Sequence, residues 1–243
     1  MDIRVLLACE TGSRAWGFAS PDSDYDIRLL YCHPVEWYLS VNEPKDELSS
    51  MEDDNLLDIT GWELRKTLRL LNKSNMAVFE RLDSSIVYRQ DEQFCDRLRS
   101  VAKDFYNPLA AIHHYLGIAR NAHDDLNSPD GNYSLKRLFY GLRTAAACQW
   151  IYEDHDGPPP IVFDKILDEI SLTDSARSRI RELVEIKSGQ AEKVNHSGEV
   201  ELLELIGHQI NVATESAASL SPPKPDRTQL NQVMRDATLG TTE

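Results

Sequence analysis

At 243 residues, with a hydrophobic fraction of 41% and four tryptophans, the chain is long and apolar enough to bury a core, which excludes a disordered protein. Forty acidic against 26 basic residues give a net charge of −14, which excludes a protein that coats nucleic acid nonspecifically; any such contact has to be a local basic patch. Cys9, Cys32, Cys95 and Cys148 show no C-x-x-C spacing, so neither a zinc site nor a disulfide framework is expected. With no signal peptide and no long apolar run, a cytoplasmic protein without membrane association is expected.

The run Val5-Leu6-Leu7-Ala8-Cys9 is short and apolar, the pattern of a buried strand. Gly12-Ser13 follows, and a helical turn from Ser13 through Arg14, Ala15 and Trp16 would turn unpaired backbone N–H groups toward an anion. After the turn at Pro21-Asp22-Ser23, a second strand is predicted from Asp24 to Leu30. Alternation along it places Asp24 and Asp26 on one face and Tyr25 and Ile27 toward the core. A phosphate cradle facing two carboxylates is the set of parts that holds Mg²⁺ together with a nucleoside triphosphate. Trp16 and Phe18 read as packing residues.

Residues 32 to 38 read as a loop anchored by Trp37 and Tyr38, and 41 to 55 as a polar hairpin or exposed loop. A third strand is expected over Leu56 to Ile59, with Asp58 facing away from Leu57 and Ile59. Thr60 then caps a helix from about Gly61-Trp62, with an apolar stripe of Leu64, Leu68 and Leu71 and a basic face of Arg65, Lys66, Arg69 and Lys73. Lys73-Ser74-Asn75 ends it, a short helix covers 76 to 82, and Ile86-Val87-Tyr88 closes this half as a strand. Helices are predicted at 94–105, 109–126, 134–153, 163–170, 175–188 and 200–219. Their connectors, such as 127–131 and 156–160, carry turn residues. Strands first and helices second predict an α+β chain. Its parts would be a catalytic domain over 1–90, a helical domain over 91–220, and a Pro-rich linker with a last helix or tail over 221–243.

The order strand, Gly-Ser, Asp-x-Asp on the next strand resembles the signature of the DNA polymerase β nucleotidyltransferase superfamily. The longer run from Gly12 through Trp16, Phe18 and Ser20 to Asp26 resembles one family within it. That is the predicted nucleotidyltransferase family that includes the RNA-ligase-associated and YcgL-like nucleotidyltransferases. The likeness continues through Asp58, Gly61-Trp62-Glu63-Leu64-Arg65-Lys66 and Lys73-Ser74-Asn75, and more weakly over 135–151. Members carry a helix before the first strand, so a shortened N-terminus is expected here.

The resemblance implies a polymerase β-like mixed sheet with flanking helices, followed by a helical domain. It also implies transfer of a nucleoside monophosphate from a triphosphate to an acceptor hydroxyl, with release of pyrophosphate and Mg²⁺ or Mn²⁺ as cofactor. Asp24, Asp26 and Asp58 would be the catalytic, metal-binding carboxylates, with Glu52, Asp53 and Asp54 as nearby rivals of Asp58. Gly12, Ser13, Arg14, Lys66, Ser74 and Asn75 would contact the nucleotide. Lys136, Tyr140 and Arg143, spaced to share a helix face, would add phosphate and stacking contacts, or else belong to an ordinary amphipathic core helix. An RNA end is the implied acceptor and an RNA ligase an implied partner. A protein or small-molecule acceptor, or a nucleotide-binding regulator without catalysis, are the competing readings. His113, His114 and His123 are expected to pack or hydrogen-bond rather than bind metal, and an Arg120–His123 pairing lacks a supporting frame.

Overall fold

The computed structural model describes residues 2–42, 45–52, 56–127, 131–189, 191 and 194–240. The chain forms two compact units: residues 1–15, 24–106 and 223–243 in one, and 16–23 with 107–222 in the other.

The first unit is built on five strands: β1 (Arg4–Thr11), β2 (Tyr25–Cys32), β3 (Glu47–Glu52), β4 (Leu57–Glu63) and β5 (Val87–Gln90). Their order is β3-β4-β2-β1-β5, with β2 and β4 parallel and every other pair antiparallel, so the sheet is mixed. β1 lies between two neighbours, and its run Leu6, Leu7, Ala8 and Cys9 is buried as the apolar pattern predicts. The helices of this unit are α1 (Gly12–Trp16), whose last residue is grouped with the other unit, α2 (Val35–Tyr38), α3 (Leu64–Leu71), α4 (Met76–Asp83) and α5 (Glu92–Phe105). Leu64, Leu68 and Leu71 of α3 are all buried, which confirms that stripe.

The start of α3 differs from the sequence expectation. Thr60, Gly61 and Trp62 continue β4, because parallel pairing with Arg28, Leu29 and Leu30 occupies their backbone. The cap is Glu63, whose carboxylate accepts the N–H groups of Arg65 and Lys66 at 2.8 and 3.2 Å. Part of the polar stretch after residue 41 is the edge strand β3, and only Glu52 of the three rivals of Asp58 is described; Asp53 and Asp54 lie outside the described residues.

The second unit holds α6 (Pro108–Leu126), α7 (Leu135–Tyr152), α8 (Phe163–Glu169), α9 (Asp174–Ser188) and α10 (Val200–Ser216), with a two-residue ribbon of β6 (Tyr133–Ser134) and β7 (Asn195–His196). Every residue of α7 from Gly141 to Ile151 is buried, so α7 is the central helix of the bundle. Residues 16–23, eight of the ten that separate Gly-Ser from Asp-x-Asp in the sequence, belong to this helical unit. Phe18 is buried there, stacked on Phe139 at 5.0 Å and edge-on to Phe163 at 5.9 Å. The buried ammonium of Lys187 donates to Ser20 Oγ at 3.2 Å, and Ser23 Oγ accepts the Ser20 N–H at 3.0 Å.

Division of the chain in space therefore departs from a cut near residue 90. α5 is grouped with the sheet, where it packs on β1, and so is the final helix α11 (Thr228–Leu239), which packs on α3 and α5. Arg4 donates to the Ala237 carbonyl, tying the first strand to that last helix.

Candidate active site

Strand register brings the first two functional side chains together. In the parallel pair β2–β4, Asp26 and Asp58 are direct partners, so their side chains leave the sheet on the same face. Arg28, two residues beyond Asp26, shares that face. Its Nη2 lies 2.5 Å from Asp26 Oδ1 and 2.8 Å from Asp58 Oδ2, while Nη1 donates to the Asp58 carbonyl at 2.9 Å. One guanidinium thus binds two carboxylates that would otherwise repel each other. The Asp26 and Asp58 side chains are 21% and 24% exposed, open enough to meet a ligand and dry enough for charge to count.

Asp26 is also held from β1. Its N–H donates to Glu10 Oε1 at 2.7 Å, Thr11 Oγ1 donates to its carbonyl at 3.3 Å, and the hydroxyl of Tyr88 on β5 donates to Glu10 Oε2. Glu10 is fully buried, and the Ser84 hydroxyl donates to its carbonyl at 2.7 Å. Burial and the bond to Glu10 push the Tyr88 hydroxyl up to about 12, so it donates at neutral pH. Burial raises the Asp26 carboxyl above its ordinary range; Arg28 pulls it back, and Asp24, Asp58 and Glu10 push it up again.

Gly12 opens α1 with φ of +64°, a conformation that favours glycine, and a Cβ there would stand 2.0 Å from Asp26 Oδ2. The atom its missing side chain admits is a carboxylate oxygen of Asp26. Ser13 beside it is buried. The Arg14 guanidinium lies over the Tyr25 ring at 3.9 Å.

The other expected residues have varied placements. Asp24 precedes β2, outside the paired register, though its charge reaches Asp26. Among the described residues no group of three or more His, Cys, Asp or Glu side chains is gathered as a metal cage. Lys66 is held by Glu47 at 2.7 Å and Asp46 at 3.3 Å, near the opposite end of β4 from Asp58. Ser74 is buried with φ of +53° in the turn from α3 to α4, and Asn75 caps α4 by accepting the Ala77 N–H at 3.1 Å.

In the helical unit Lys136 and Tyr140 are partly exposed, and Tyr140 meets Trp16 edge-on at 5.1 Å. Arg143 corrects the expectation of a ligand-facing cation: it is 2% exposed, lies over Trp16 at 4.5 Å, and donates to the Ile161 carbonyl at 3.3 Å. His123 contacts the Asn127 side chain and Arg120 donates to Thr214, two separate local bonds.

Two residues that the sequence reading assigned no place in this site are Arg28 and Glu10. Arg28 was detectable in principle, because it has the strand parity of Asp26. Glu10 stood out as the one charged residue closing an apolar run, but its bond to Asp26 depends on strand pairing.

A mixed sheet of this kind, with a glycine turn against one of two in-register aspartates, defines a polymerase β-like nucleotidyltransferase fold. The chain belongs to RlaP, the RNA repair pathway DNA polymerase beta family, whose family model matches residues 1–236. It is 37% identical over 235 residues to the uncharacterised protein YcgL of Bacillus subtilis (strain 168), covering 96% of this chain and 88% of that one. It also matches the crystal structure of a nucleotidyltransferase-like protein from Exiguobacterium sibiricum 255-15, with a TM-score of 0.36 and 13% identity over 97% of this chain and 74% of that one. That superposition is too low to add to the family assignment. No helix among the described residues is long and apolar enough to cross a membrane.

Proposed function

We propose that this protein is a Mg²⁺- or Mn²⁺-dependent nucleotidyltransferase that transfers a nucleoside monophosphate from a nucleoside triphosphate to the hydroxyl of an RNA end. The acceptor oxygen forms a bond to the α-phosphorus, the bond from that phosphorus to the bridging oxygen breaks, and pyrophosphate leaves. The observation that carries the reading is the Asp26–Asp58 pair, in register on parallel strands and already closed around a cationic group.

The donor set suits a hard divalent cation: two partly exposed carboxylates side by side, with Asp24 near enough to add its charge. When bound by Asp24, Asp26 and Asp58, such an ion would supply charge stabilisation for the phosphoryl group and activate the acceptor hydroxyl. The rest of the task is positioning. Glu10 and Gly12 fix the backbone and carboxylate of Asp26, and Ser13 with the backbone beside it would hold the triphosphate tail. Arg28 keeps the two carboxylates parallel before any ligand arrives. Lys136 and Tyr140 are the helical unit's remaining candidates for nucleotide or acceptor contacts. Ser74 and Asn75 would act through the turn they build, and Lys66 through its grip on β3. The family's place in RNA repair supports an RNA acceptor, and an RNA ligase is the partner we propose for it.

The test is incubation with each α-labelled triphosphate, Mg²⁺ and a mixed RNA pool, followed by separation of products. Label in RNA with matching pyrophosphate release is the expected result. Label in protein or a small molecule instead would overturn the RNA acceptor, and no pyrophosphate with any triphosphate would overturn the transfer itself.

A further inference from the structure

A groove lies within the sheet unit, on the surface of α3. Arg65 and Arg69 are four residues apart and therefore share one helix face. With Arg227, which precedes α11, they line a groove of about 370 Å³ whose floor is Leu68 and Leu230. The protein is strongly acidic, and Arg28, Arg99, Arg137, Arg179 and Arg181 have carboxylate partners, whereas Arg14 and Arg81 lie over aromatic rings. Among the described residues none of the three groove arginines is in an ion pair. Lys66, next in sequence, shows the contrast, since Asp46 and Glu47 hold it.

Three unmatched guanidinium groups in a chain of net charge −14 concentrate positive potential on one concave surface. Arginine is the side chain whose planar fork fits phosphate oxygens. Asn72 lines the same groove beside the arginines. A ligand that carries regularly spaced phosphates and flat apolar faces together is a polynucleotide. An acidic peptide offers the charge, but not a regular row of phosphates. α3 also follows directly on β4, the strand that carries Asp58.

The geometry points to this groove as a binding track for single-stranded RNA, with Arg65, Arg69 and Arg227 on successive phosphates. The inference rests on the RNA acceptor proposed above and locates where part of that acceptor lies, away from the reacting end.

The experiment measures binding of a labelled 20-nucleotide single-stranded RNA by fluorescence anisotropy over a series of salt concentrations. Removing one arginine–phosphate pair lowers the slope of log affinity against log salt by about 0.7 for a single strand. Arg69→Gln with Arg227→Gln is expected to reduce the slope by about 1.4, and addition of Arg65→Gln by about 2.1 in all. The double variant leaves Arg65 over the Tyr38 ring, at 5.1 Å, so a fold-preserving version exists if the triple variant unfolds. Unchanged slope and affinity in the folded double variant would overturn the groove while leaving the RNA acceptor standing. No RNA binding by the wild-type protein would overturn both. Polyglutamate of matched charge competing as well as RNA would reassign the groove to an acidic protein partner.

Discussion

The carboxylate site of the sheet unit and the basic motif of α7 look alike as sequence patterns and differ in what the fold does with them. In each, polar residues recur at the period of their element: Asp26 and Arg28 two apart on a strand, Lys136, Tyr140 and Arg143 four and three apart on a helix. On β2 the periodicity delivers a partly exposed group, because Asp26 stands near the start of its strand, where that face is accessible, and parallel pairing adds Asp58 from β4. On α7 the same logic fails at Arg143, because a central helix has neighbours around it, and the guanidinium is absorbed by Trp16 and the Ile161 carbonyl. Periodicity tells which residues share a face; the number of packed neighbours tells whether that face meets ligand or core.

Mutation of each region puts that contrast at risk. The largest effect belongs to the carboxylate pair. Asp26→Asn and Asp58→Asn are each expected to cut nucleotidyl transfer by at least about 10²–10³-fold, the size seen when a charge-stabilising group is removed. Both variants should still melt cooperatively, and retention of full turnover by either would remove that side chain from the chemistry.

Next in size is Arg143→Met. It removes the guanidinium's bond to the Ile161 carbonyl and its contact with Trp16 inside the helical unit, and a loss of about 1–3 kcal/mol in denaturant unfolding is expected. If Arg143 served a ligand instead, stability would be unchanged and triphosphate or RNA affinity would fall, and the contrast between the two regions would collapse.

Gly12→Ala should destabilise by about 1–3 kcal/mol, since the residue sits at positive φ and its new methyl would displace the Asp26 carboxylate. Transfer activity should fall with it. Asp26→Gly in the Gly12→Ala background relieves the clash, so partial recovery of melting temperature without recovery of activity would identify the contact that matters.

The smallest effect is expected for Lys66→Met, within about 0.5 kcal/mol of wild type in unfolding, because its bonds to Asp46 and Glu47 lie near the surface. Both regions should also share an alkaline weakness. Tyr31 and Tyr88 of the sheet unit and Tyr152 of α7 are each pushed up to about 12, chiefly by burial. A hydroxyl with a raised value in the fold adds stability that is complete below about 10 and is lost as pH rises toward 12. Melting temperature should therefore fall between those values, alongside a late rise in tyrosinate absorbance.

Much of this protein was legible from its residues alone. The buried strand Leu6–Cys9, the α3 stripe of Leu64, Leu68 and Leu71, the second strand with Asp26, and the family itself all follow from local apolar period and motif, which depend on neighbours in sequence. Other features arose from pairing between distant segments and could not be read that way. Parallel register made Asp58 the partner of Asp26 and carried β4 through Thr60 to Glu63, and strand order put Glu10 and Tyr88 behind Asp26. Packing among helices turned Arg143 inward and drew residues 16–23 of the motif into the helical unit. A side chain's period is set by its own backbone, whereas its partners are set by which strand or helix the chain lays beside it.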